Sequence, residues 1–181
     1  HQVDSGRCLT SFWVGFALLI LFLQIWNYVL PINWQALVVI CVLGGAGLAW
    51  NASELISWFR RALGNRVGGI LAFILIALWV ANQSIGPGNA HDSGMYHYGV
   101  IQWANAYPVV PGLGNLSTPY ALNHASLLYA ALLNVGPWHG RVEHVANGLL
   151  LLALLTQILI SMGRVLRHAS PRSLVDVFNI V

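Results

Sequence analysis

Charge is scarce in this chain, and lysine is absent from it. Only 7% of the 181 residues are Asp, Glu, Lys or Arg, whereas 57% are hydrophobic; soluble domains average roughly 25% charged. So little polar surface cannot cover a water-facing core, which sets aside a soluble globular class. The apolar residues also fall in long blocks, the pattern of membrane spans. The basic residues are eight arginines, giving a net charge of +3. They sit in short runs beside apolar segments and form no clustered basic face, so nucleic acid is not an expected partner. Cys8 and Cys41 are too few for a disulfide framework or a zinc site. Cys41 lies in an apolar run and reads as a small core residue.

The first residue is His1, and no signal peptide is visible: the first apolar stretch is long enough to span and lacks a small-residue cleavage site after it. The tail from Leu174 to Val181 reads as the start of another apolar segment. The expectation is an internal piece of a longer multi-pass protein whose remaining transmembrane helices are its partners.

Four spans are expected, making an all-α polytopic transmembrane helix bundle. The first covers about residues 12–30 and ends at Pro31, near the ~20 residues that cross ~30 Å of hydrocarbon. Its polar members, Gln24 and Asn27, are expected to face other helices. Trp26, Tyr28 and Trp34 anchor the short turn that follows. The second covers about 34–50, where Gly44, Gly45 and Gly47 suggest a close-packing face; this glycine run matches no phosphate-loop pattern. Residues 51–66 pair Leu55, Ile56, Trp58 and Phe59 with Arg60, Arg61 and Arg66, the pattern of an interfacial helix. The third span covers about 67–85 and the fourth about 145–162, with 163–181 leading to a truncated next span.

Four crossings put Arg7, Arg60, Arg61, Arg66, Arg164, Arg167 and Arg172 on one side, and only Arg141 on the other. By the positive-inside bias the seven are cytoplasmic and the loop 86–144 is extracytoplasmic. Two interfacial helices are expected within that loop. One begins near Ser93 and ends about Ala106, before Pro108. The other has Thr118 as N-cap and Pro119 in its first turn, and ends about Val135 before Gly136-Pro137. Residues 108–117 form a Pro/Gly turn between them.

Chemistry is expected in this loop. Asp92 could take a proton from a hydroxyl or hold a divalent cation such as Mg or Mn; the plainer reading is that Asp92 or Ser93 caps the following helix, and the two are compatible. Tyr96 follows on nearly the same face. His97 could contact a phosphate or move a proton, or simply bond to headgroups. His91, His97 and His124 could join Asp92 around a metal, though no zinc spacing is present. His139, Glu143 and His144 miss the H-x-x-E-H pattern by one residue. Asn115 and Asn123 could bind sugar hydroxyls or satisfy turn backbone. Three glycosylation sequons, at Asn51, Asn82 and Asn115, decide nothing.

From Asp92 to Asn123 the chain resembles a family of bacterial multi-pass membrane proteins. The resemblance is carried by Asp92, Tyr96-His97, Ile101-Gln102-Trp103, the run Val109-Val110-Pro111-Gly112-Leu113-Gly114-Asn115-Leu116, and Asn123, with Asn147-Gly148-Leu149-Leu150 in the next span. The arginine that usually precedes the Asn is missing, since residues 118–122 read T-P-Y-A-L. Such proteins look like the GT-C glycosyltransferases. That resemblance implies sugar transfer from a polyprenyl-phosphate donor at the outer face of the bacterial cytoplasmic membrane. Asp92 would be base or metal ligand and His97 a contact to the donor phosphate. Tyr96, Trp103, Asn115, Asn123 and His124 would bind substrate. The resemblance works at the level of fold. The competing classes are a transporter or flippase of a lipid-linked substrate and a non-catalytic assembly subunit. A transporter would be expected to carry ionisable groups at depth, and these spans hold only amides and glycines.

Overall fold

The computed structural model describes residues 5–63, 67–84, 96–115, 118–121, 125–140 and 142–166. Among them there are seven α-helices and two short 3-10 segments, with no strand. The helices are α1 (Ser5–Val29), α2 (Trp34–Trp50), α3 (Ala52–Leu63), α4 (Val67–Ser84), α5 (Tyr98–Ala106), α6 (Ala125–Asn134) and α7 (Val142–Leu166).

Local chemistry sets the joints. Pro31 cannot extend α1, and the Trp26 indole N–H donates to the Pro31 carbonyl at 3.1 Å, folding the chain over its own last turn. Asn33 then caps α2, its Oδ1 accepting from the Gln35 amide at 3.0 Å. At the far end of α2, Asn51 donates its side-chain amide to the Gly47 carbonyl at 2.9 Å, and α3 starts one residue later.

The core is the meeting point of α6 with α1, α5 and α7. Leu23, Ile32, Ile101, Ala131, Val142 and Ala146 are buried there. α7 runs antiparallel to its neighbours. Near one end, Val142 and Ala146 of α7 share the core with Leu23 of α1; near the other, the Trp13 indole donates to Gln157 Oε1 at 2.7 Å. α4 packs along α7, and Gly148 is what lets them meet. A Cβ there would stand 2.7 Å from Ser84 Oγ and 3.3 Å from Val80 Cγ1. The C-terminal ends of α1 and α4 therefore lie at the same end as the start of α7.

Several expectations change. Only α1 and α7, over Thr10–Val29 and His144–Gly163, are long and apolar enough to cross a membrane by length and composition among the described residues; α2 and α4 are shorter apolar helices. The glycines of α2 pack against nothing among the described residues: no atom of these lies within 4 Å of a Cβ built on Gly44, Gly45 or Gly47. Cys41 is exposed and is no core residue. Among the described residues only the first turns of α2 join the core, through Ala36, Leu37 and Ile40.

The loop helices differ as well. The first α-helix starts at Tyr98, after a π-helical turn at Tyr96–His97; Ser93 lies outside the described residues. Over the second, the described residues form a 3-10 turn, Thr118–Ala121, and α6, while 122–124 lie outside them. α6 also does not present one face to protein and one outward. Ala130, Ala131, Leu132 and Asn134 are all buried, since the small alanines admit three neighbouring helices. Tyr129 of α6 meets the Phe16 ring edge-on at 5.2 Å, so α6 lies beside the middle of α1. Burial there pushes the Tyr129 phenol above its ordinary pKa, keeping it neutral.

Candidate functional site

The functional geometry is built where the loop is stitched to the end of α1. α5 ends because Tyr107 precedes Pro108 and is held extended, at φ −136° and ψ 151°. That extended stretch pairs with the last turn of α1, whose final carbonyls have no helical partner. The Val109 amide donates to the Asn27 carbonyl at 2.8 Å, and the Asn27 side chain donates to the Tyr107 carbonyl at 3.3 Å. Pro111-Gly112 then turns the chain. Gly112 adopts φ +83°, a left-handed geometry that glycine takes without a Cβ penalty. The Leu113–Asn115 3-10 turn follows.

A second polar set holds α5 and α6 to the α1–α2 turn. Asn105 donates to the Ile32 carbonyl at 2.6 Å and to the Ala131 carbonyl at 2.8 Å. Asn134 donates to Asn105 Oδ1 at 2.8 Å and accepts from the Gly140 amide at 2.9 Å. The Ile32 amide in turn donates to the Ala104 carbonyl at 2.8 Å. Each of these partly buried amides is used, as burial requires. Sequence reading missed Asn105 and Asn134; the signal for them was an amide set among apolar residues within a short helix.

Between these attachments lies an open groove of about 560 Å³. α1 contributes Leu21, Gln24, Ile25, Asn27 and Tyr28; α5 and the turn contribute Val100, Trp103, Ala104, Tyr107, Pro108, Val109, Val110 and Leu113; Tyr120 and Leu128 complete it. Among the described residues no charged side chain lines it. Trp103 and Tyr107 pack with ring centroids 5.1 Å apart, and the Tyr120 phenol lies against Gly99, where a Cβ would collide with it.

Of the residues singled out from the sequence, Trp103 lies in this groove. Tyr96 and His97 sit at the head of α5, half-buried, their rings edge-on at 4.4 Å. Asn115 is exposed on the 3-10 turn and does not line the groove. Asp92, Asn123 and His124 lie outside the described residues, as does His91. Asn27, expected to face another helix, is buried at 6% exposure and bonded across to the loop. Gln24 lines the groove, whose other wall includes Val100, Trp103 and Ala104 of α5. Among the described residues no group of three or more His, Cys, Asp or Glu is placed to hold a metal ion. His144, at the head of α7, keeps its Nε2 buried without a hydrogen-bond partner among the described residues and stands outside the groove.

Among the described residues, fold and site thus define an all-helical architecture with an aromatic groove, lined by no charged side chain, between an apolar helix of spanning length and the loop that follows α4. The family model for the domain of unknown function DUF8201 matches residues 2–181, and the chain belongs to that family. No curated protein matches it, and no solved structure does.

Proposed function

We propose that the chain is part of an integral membrane glycosyltransferase of GT-C-like architecture. It transfers a sugar from a polyprenyl-phosphate donor at the outer face of the bacterial cytoplasmic membrane, in envelope polysaccharide or glycolipid synthesis. One observation carries the reading. The residues that bear the resemblance in the loop, Trp103, Val109, Val110 and Leu113, are also walls of the groove, and the opposite wall is the spanning-length helix α1. A substrate held there would have one side toward lipid and the other toward the loop.

The four-span arrangement is part of the same proposal. α2 is exposed at every residue from Cys41 to Trp50, a surface that lipid or further helices would cover and water would not. The antiparallel run of α7 against α1 and α4 supports it. That arrangement brings the Arg7 and Arg164 positions to one end of the bundle and the loop to the other, as the positive-inside bias asks. Asp92 acts as base or as ligand to Mg or Mn, His97 contacts the donor phosphate, and Tyr96, Asn115, Asn123 and His124 complete substrate binding.

The test is Asp92→Asn in the whole protein, with surface polysaccharide or glycolipid compared by mass spectrometry against a deletion strain. Loss of the modification that the deletion also removes is the expected result. An unchanged glycan profile would remove Asp92 from the chemistry.

A further inference from the structure

The polar groups around the groove divide into two sets. Asn27, Asn105 and Asn134 are engaged by the protein's own carbonyls and amides. In contrast, the side chains of Gln24, Tyr28, Trp103, Tyr107 and Tyr120 make no hydrogen bond to any described residue, and all five line the one cavity. Gln24 is half-buried, and its amide faces the groove with both its donor and its acceptor capacity open to a ligand. An indole N–H, three phenols and one amide gathered without a charge make a specific chemical surface.

We propose that this groove is a subsite for one uncharged sugar ring. The identity of the sugar as a transferred or accepting unit rests on the transferase reading; the binding itself does not. Hydroxyls on the rim of a sugar both donate and accept, matching amide and phenol groups that do the same. Its C–H faces are weakly positive and sit against the negative faces of aromatic rings, here Trp103 and Tyr107. Among the described residues the lining holds no cation for a phosphate or uronic acid and no carboxylate for an amino sugar, and an ion desolvated without a partner is disfavoured. The volume, about 560 Å³, lies within the roughly 300–1,000 Å³ usual for small-molecule sites.

Saturation-transfer NMR on the whole protein in lipid nanodiscs tests this, with the octyl β-glycosides of glucose, galactose and mannose as probes and octyl β-glucuronide as the charged control. At least one neutral glycoside should receive transfer at its ring protons, with the glucuronide binding about tenfold more weakly or worse. Gln24→Leu and Trp103→Ala should each weaken the neutral probe about tenfold, the scale of one lost hydrogen bond or ring contact. Trp103→Phe keeps a ring and should lose less, which separates stacking from misfolding. Transfer confined to the octyl chain would make the groove a lipid-chain site and overturn the proposal. So would equal binding of the glucuronide, or affinities indifferent to both Gln24→Leu and Trp103→Ala. Ring-proton binding in a protein that transfers sugar from no polyprenyl-phosphate donor would uphold the subsite and remove the transferase.

Discussion

Asn134 donates its side-chain amide to the Oδ1 of Asn105 at 2.8 Å, linking α6 to α5 across 29 residues of chain. Through Asn105 the link continues to the Ile32 carbonyl, 73 residues away. Among the described residues the loop is thereby fastened to the first helical hairpin by side-chain amides.

Asn105→Ala should be costly. It leaves two backbone carbonyls and the Asn134 amide without their partner, and each such orphan costs about 1–3 kcal/mol when buried. A loss of about 2 kcal/mol or more is expected in mixed-micelle unfolding. A double-mutant cycle with Asn134→Ala should show coupling, because the second substitution removes one of the orphans. Additive losses would mean the two amides act independently.

The α4–α7 crossing makes a prediction with a built-in rescue. Gly148→Ala puts a methyl 2.7 Å from Ser84 Oγ, and overpacking of this kind costs about 1–3 kcal/mol. Ser84 donates to the Val80 carbonyl at 2.9 Å, so it cannot turn away without losing that bond. Adding Ser84→Ala removes the colliding oxygen and should restore most of the stability. Should the single and double variants melt together, Gly148 is not at a close crossing.

Sidedness follows from the antiparallel helices. With Cys8 and Cys41 replaced by serine, single cysteines at Asn115 and His139 should react with a membrane-impermeant maleimide in intact cells. Cysteines at Arg7 and Arg164 should react only after permeabilisation. Labelling of all four from outside would break the four-span arrangement.

Much of the helical framework was legible because apolar blocks and their terminators mark it directly. Trp34 to Trp50 matches α2 at both ends, since an unbroken apolar block runs between the Pro31 turn and the polar segment that starts at Asn51. The Pro108 stop and the Pro111-Gly112 turn were equally visible, as both rest on local backbone preference. What was not legible depends on partners distant in sequence. An apolar segment such as Ala125 to Asn134 has the same composition whether it lies on a membrane surface or is packed among three helices. Its burial is decided by Phe16, Ile101 and Val142, residues that no local pattern connects to it. The glycines of α2 show the converse: small residues permit close packing but do not supply the partner. At the site, Trp103 was identified from the loop motif, whereas Gln24 and Tyr28 joined it only once α1 was folded against the loop.

The central claim is sugar transfer by the loop chemistry at the outer face, and it is tested most directly in proteoliposomes. Whole protein, wild type and Asp92→Asn, would be given radiolabelled sugar on a polyprenyl-phosphate donor with lipid or glycan acceptor and Mg or Mn, and labelled product would be counted. The account predicts transfer by the wild type and a fall of about 100-fold or more in Asp92→Asn, the scale of a lost general base. Equal transfer by the two proteins, or none by the wild type with any donor, would contradict it.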